Sequence, residues 1–127
     1  MNITEMIADA RARIRSLSVD EFAARLDTTG VLLVDVREPN EIVEDGAIPG
    51  AIVAPRGMLE FLADAGSPYH LDAFRPDRSV IVYCKSGGRS ALAAATLTDL
   101  GYRDVAHLDG GITAWKQARR PTVRSVA

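Results

Sequence analysis

The stretch Val80-Ile81-Val82-Tyr83-Cys84-Lys85-Ser86-Gly87-Gly88-Arg89-Ser90 decides how the rest of the chain is read. Val80 to Tyr83 form an unbroken β-branched and aromatic run, the mark of a strand buried on both faces. Cys84 ends the run, Gly87 and Gly88 follow, and a helical pattern starts at about Ser90 and continues to Leu100, with Gly101 at the C-cap position. Strand, short glycine loop and helix in succession make a βα unit, and ligands of open α/β sheets bind at the carboxyl ends of such strands.

The neighbouring segments extend the pattern. Val31-Leu32-Leu33-Val34-Asp35-Val36 is a second fully buried strand, and Ala51-Ile52-Val53 and Val105-Ala106-His107-Leu108 are weaker ones. Helices are expected over Met58 to Ala65 and Ile112 to Ala118, and from the capping box Ser18-Val19-Asp20-Glu21 to Leu26. Residues 66 to 79, with Gly66, Pro68 and Pro76, read as a long surface connection. Ile3, Met6, Ile7, Ala10 and Ile14 recur at helical spacing, so residues 3 to 13 are either a short amphipathic helix or a frayed end. Pro121 to Ala127 read as a loose tail. Strands alternating with helices imply an α/β fold around a parallel sheet.

The bulk properties exclude several classes of function. A length of 127 residues fits one compact domain. A net charge of -2 gives no bulk attraction to nucleic acid or to an anionic membrane. No stretch approaches the ~18 apolar residues of a membrane span, and the N-terminus has no signal-peptide core. The chain is therefore expected to be cytoplasmic, where its single cysteine stays reduced. One cysteine with His70 and His107 gives no metal-ligand spacing, so no metal or other cofactor is expected and neither histidine is assigned a role.

The chemistry is expected at Cys84. Gly87 and Gly88 let successive backbone N–H groups turn inward as an anion nest. The following helix adds the positive end of its dipole, and Lys85 and Arg89 add charge. Each of these favours the thiolate, which is the nucleophile. The alternative is a packed core cysteine, but a core position has no need of two glycines and two cations beside it.

Three motifs, spanning about Leu17 to Arg120, resemble those of single-domain rhodaneses. They are Leu33-Val34-Asp35-Val36-Arg37-Glu38-Pro39-Asn40-Glu41 with Gly46-Ala47-Ile48-Pro49-Gly50-Ala51, the Cys84 to Ser90 loop, and Leu108-Asp109-Gly110-Gly111-Ile112-Thr113-Ala114-Trp115. The resemblance implies a three-layer sandwich, with a central parallel sheet of about five strands and helices on both faces. It divides the chain into an N-terminal helical extension (1–16), a rhodanese domain (17–120) and a tail (121–127). It implies a two-step sulfur transfer in which Cys84 takes sulfur from a donor such as thiosulfate. A thiol or cyanide acceptor then removes that sulfur, and a protein partner carrying a persulfide would serve equally as donor. Cys84 matches the persulfide-forming residue, and Lys85, Ser86, Gly87, Gly88 and Arg89 match the loop around the sulfur. Asp35, Arg37 and Glu41 match residues that brace the loop, with Ser90 in support; without the resemblance the three would read as a surface salt-bridge cluster. Ile112 and Trp115 are expected to pack the last helix on the sheet.

Ala47 departs from the resemblance, because histidine usually stands there; its absence is expected to loosen a local hydrogen-bond network. Two other readings compete with sulfur transfer. One is a phosphatase or arsenate reductase of the Cys-x5-Arg type, but only four residues separate Cys84 from Arg89. The other is a non-catalytic rhodanese-like regulatory module, against which the retained Cys84 speaks. A dimer through Ile3, Ile7, Ala10 and Ile14 is compatible with any of these.

Overall fold

The computed structural model describes residues 1–124 of the chain. Five strands form one parallel sheet: β1 (Arg15–Leu17), β2 (Leu32–Asp35), β3 (Ile52–Val53), β4 (Val80–Tyr83) and β5 (Val105–Leu108), in the order β1-β5-β4-β2-β3. The helices are α1 (Ile3–Arg13), α2 (Val19–Leu26), α3 (Pro39–Asp45), α4 (Leu59–Ala63), α5 (Gly88–Asp99) and α6 (Gly111–Gln117), and a 3-10 turn at Arg56–Met58 precedes α4. The expected α/β sandwich is present. Among the described residues no helix is long and apolar enough to cross a membrane.

The pleat sorts the two central strands between two cores. Leu32, Val34, Val80, Val82 and, one step further, Cys84 face α4 and α5. Leu33, Ile81 and Tyr83 face α2 and α6 with Phe22, Ile112 and Trp115. Ile112 and Trp115 pack as expected. Adjacent strands β2 and β4 send their connections in opposite directions, toward β3 and β5 respectively, so a crevice opens at their carboxyl ends. The pairing of Asp35 with Tyr83 sets Arg37 and Cys84 on its two sides.

Four segments differ from the sequence reading. Arg15–Leu17 forms edge strand β1, which straddles the division drawn at residue 16; with Arg15 and Ser16 exposed, it carries a single buried side chain. Helix α3 was not expected, although Pro39 at its start and Glu41, which accepts from the Glu38 N–H at 2.9 Å, are helix-opening signals. Helix α1 is formed, and Ala10 packs with Ala91 and Ala95 of α5. The face offered for a dimer is thereby occupied within the chain: Ile7 and Ile14 also pack there, and only Ile3 of the four is exposed. The tail is tied down as far as it is described. Pro121 O accepts from Trp115 Nε1 at 2.7 Å, and Val123 exchanges two backbone hydrogen bonds of 2.8 Å with Ala47; residues 125–127 of that segment lie outside the described residues. The same pair forms an isolated bridge at Ala47, whose side chain is fully buried.

Asp35 and Arg37 are buried, not a surface cluster. Both side chains are 0% exposed, and Arg37 Nη2 lies 2.8 Å from Asp35 Oδ2. Arg37 also donates to Gly46 O at 2.7 Å and to Asp45 at 3.4 Å, joining the end of β2 to the end of α3. Tyr83 lies beneath, its ring 5.6 Å from the guanidinium and its hydroxyl accepting from Ile48 N–H at 3.0 Å. Removing one member strands the other charge, so Asp35→Ala is expected to lower unfolding stability by about 3–5 kcal/mol, while an apolar pair at both positions costs clearly less. Urea denaturation tests this, and a single-variant loss below about 1 kcal/mol would contradict the buried-pair account.

Candidate active site

The sulfur of Cys84 lies at the base of the loop that joins β4 to α5. The residue is 1% exposed. The Gly87 N–H points at Sγ from 3.1 Å and the Ser90 N–H from 3.4 Å, while Ser90 Oγ lies 3.5 Å away. Gly87 takes φ +114°, which swings its amide into the loop before α5 begins. The 12-residue α5 aims its N-terminus at the sulfur.

The third motif holds the start of the same loop. The carbonyls of Cys84 and Lys85 face outward and accept from Ile112 N–H at 2.9 Å and Thr113 N–H at 3.1 Å, in the first turn of α6. Gly111 makes the approach possible. A Cβ there would stand 2.3 Å from Lys85 O and 2.7 Å from Cys84 O, at a backbone φ of +60°. The sequence reading gave the Gly110-Gly111 pair no part in the site; two glycines ahead of a helix, in a chain with a second glycine loop, were the available signal.

The cations are placed differently from one another. Arg89 is not free to point into the nest: Nη1 and Nη2 form a two-pronged bridge to Glu41 at 2.7 and 2.9 Å. Much of the charge that Arg89 is expected to lend to the nest is thus met by Glu41, and the bridge ties α3 to the loop. The Arg89 hydrogen bond pulls the Glu41 carboxyl from the ordinary 4.5 down to about 2, against the opposing effect of burial. Lys85 and Ser86 are exposed at the rim. Asp35 and Arg37 do not touch the sulfur and brace the adjoining strand end.

His107, given no role from sequence, belongs to the site. It is fully buried, with Nδ1 2.9 Å from Ser90 Oγ and Nε2 2.9 Å from Ser16 Oγ. Burial, then the neighbouring Arg11, lower its pKa to about 4, so the ring is neutral near pH 7. No sequence signal marked it, because its partners lie 17 and 91 residues away. His70, by contrast, meets Phe74 O at 3.0 Å and Asp72 at 3.9 Å.

A thiol held by loop amides at the carboxyl edge of a parallel sheet defines a class of α/β proteins with a cysteine-centred anion loop. Within that class, the chain belongs to the rhodanese-like domain family, whose profile matches residues 18–118. A sulfurtransferase of Allochromatium vinosum is 38% identical over 111 residues, covering 87% of this chain and 95% of that one. A thiosulfate sulfurtransferase of Pseudoalteromonas translucida is 32% identical over 104 residues, covering 82% and 90%. The solved structure of a protein of unknown function, a possible tyrosine phosphatase, from Rhodopseudomonas palustris superposes with a TM-score of 0.91 at 41% identity, covering 96% and 94%. Several other relatives are longer, and the chain spans 21% to 48% of them.

Two outcomes follow from this geometry. Gly111→Ala is expected to cost roughly 2–5 kcal/mol through overlap and a left-handed backbone, and to raise Cys84 alkylation by iodoacetamide as the loop loosens; wild-type stability would show that the Cys84–Lys85 peptide does not press on Gly111. The Glu41–Arg89 bridge contributes stability that is present above the ordinary 4.5 and is lost as pH falls toward about 2. Glu41→Gln should flatten the fall in unfolding free energy over that window, and an unchanged acid limb would exclude the bridge as its source.

Proposed function

We propose that the chain is a sulfurtransferase that carries a sulfane sulfur as a persulfide on Cys84. The observation that carries this reading is the pair of N–H groups from Gly87 and Ser90 directed at a buried Sγ, at the N-terminus of α5. Such a cradle stabilises anionic sulfur before the reaction and after it. In the first step the Cys84 thiolate attacks the outer sulfur of thiosulfate; a new S–S bond forms, the old one breaks, and sulfite leaves with the electron pair. In the second step cyanide or a thiolate attacks the outer sulfur of the persulfide and the Cys84 thiolate is regenerated. Covalent catalysis divides one difficult transfer into two easier ones. The exposed rim at Lys85 and Ser86 suits a small anionic donor or the persulfide of a partner protein, and a reducing cytoplasm suits the free thiol.

The Rhodopseudomonas neighbour, described as a possible tyrosine phosphatase, keeps the phosphatase reading in view. Two features weigh against it. The loop has four residues between Cys84 and Arg89, and the guanidinium that a phosphoryl group would require is bridged to Glu41. A non-catalytic module would have no use for a cradled thiol.

The test is mass spectrometry of the protein after incubation with thiosulfate. A gain of one sulfur atom is expected, with release as thiocyanate on adding cyanide, and Cys84→Ser should lose both. Arg89→Ala should slow donor turnover by roughly tenfold or more, because it unpins the loop from α3. Cys84-dependent hydrolysis of p-nitrophenyl phosphate without sulfur uptake would replace this reading with the phosphatase one.

A further inference from the structure

We propose that Ser90, His107 and Ser16 form a proton relay between the Cys84 sulfur and solvent, in which a neutral His107 changes tautomer as the sulfur gains or loses its proton. The proposal rests on the reading of Cys84 as a nucleophile, but not on the identity of its donor. The relay begins in the register of the sheet. His107 on β5 pairs with Ser16 on β1, and it points to the same side as Val105 in the α5 core, while Ala106 and Leu108 point to the other. Ser90, in the first turn of α5, closes the gap to the sulfur. Ser16 is exposed whereas Cys84 is 1% exposed, so the chain of hydrogen bonds leads from a buried sulfur to the edge of the sheet.

Counting protons assigns the direction of each bond. A neutral imidazole carries one N–H, yet both ring nitrogens have a hydroxyl at 2.9 Å. Ser90 has one hydroxyl proton and three acceptors for it: His107 Nδ1 at 2.9 Å, Gly87 O at 3.2 Å and Cys84 Sγ at 3.5 Å. With the proton on Nε2, the ring donates to Ser16, Nδ1 accepts from Ser90, and Ser90 Oγ is left to accept from a thiol S–H. With the proton on Nδ1, the ring donates to Ser90, whose own proton is released toward a sulfur anion, and Nε2 accepts from Ser16. Each protonation state of the sulfur thus matches one tautomer.

Conversion between them balances. The thiol proton passes to Ser90 Oγ, the former Ser90 proton to Nδ1, the Nε2 proton to Ser16 Oγ, and the former Ser16 proton to water. One S–H bond breaks, one O–H bond to solvent forms, and the ring is neutral at both ends. Burial disfavours the imidazolium, which keeps the ring available as a carrier and not as a fixed charge. The charged groups acting on these hydrogen bonds are Arg11 from α1 and Asp109 after β5 at His107, and Arg89 of the loop at the Cys84 end. Arg11 Nη2 and His107 Cε1 both lie within 4 Å of where a Gly87 Cβ would stand, so Gly87 also leaves room for the ring beside the loop.

The test follows the ring nitrogens of His107 by nitrogen-15 NMR as pH is varied, alongside the rate of Cys84 alkylation by iodoacetamide. The expected result is a change from the Nε2–H to the Nδ1–H tautomer at the pH where alkylation rises, and loss of that change in Cys84→Ser. His107→Leu should slow alkylation at neutral pH by roughly tenfold, because Ser90 loses the partner that turns its proton toward the sulfur, a hydrogen bond to a charged group. His107→Asn, whose amide can donate to Ser90, should recover most of that loss. One tautomer throughout the pH series would overturn the relay, as would an unaltered alkylation rate in a folded His107→Leu variant. Neither readout uses a sulfur donor, so a protein that takes up no sulfur would refute the proposed function and leave this result standing.

Discussion

The contact between the Cys84–Lys85 peptide and Gly111 is the constraint on which the site depends. A loop can direct N–H groups at an anion only if its carbonyls find acceptable partners elsewhere. Here two of those carbonyls are taken by the opening amides of α6, and the absence of a side chain at Gly111 lets the two backbones meet. Helix α6 is in turn held by Ile112 and Trp115 in the core beneath the sheet. The start of the loop that carries the Gly87 amide to Sγ is therefore held by packing on the opposite face of the sheet from the sulfur.

A second constraint fixes the other wall. Arg37 is a poor choice if stability alone were at stake, because a buried ion pair seldom gains more than it costs in desolvation. Its value is geometric. One guanidinium holds Asp35 at the end of β2, Gly46 O at the end of α3 and the face of Tyr83 at the end of β4. Helix α3 is thereby set at the height where Glu41 meets Arg89, and the loop is gripped from α3 as well as from α6.

Legibility in the sequence followed the range of the interactions. The buried runs at β2 and β4 and the cap at Ser18 are local patterns, and the structure keeps them. The loop from Cys84 to Ser90 was legible for the same reason, since strand, glycines and helix lie within eleven residues. Strand β1 was not, because three residues with one buried side chain have no period of their own; they become a strand only where β5 offers an edge. His107 carries no local signal, because its meaning depends on Ser16 and Ser90, and no spacing along the chain connects the three. The position of Arg89 is legible from the loop, but the fate of its charge is not, since the partner that compensates it stands 48 residues earlier.

The pairing of Arg89 alters what the cradle can select. A free guanidinium beside the sulfur would attract dianions strongly and hold them, which suits a phosphoryl group and hinders release of sulfite. With its charge met by Glu41, the groups that meet Sγ directly are the Ser90 hydroxyl and two backbone dipoles, which are fixed in direction and carry no net charge. Such a site favours a negative sulfur at one point without binding the rest of a donor tightly. The proposed sulfur carrier needs that balance, because a persulfide stabilised too well would end such a cycle at its midpoint. The neutral His107 behind Ser90 fits the same requirement, since a fixed imidazolium there would restore the charge that the Glu41 bridge removes.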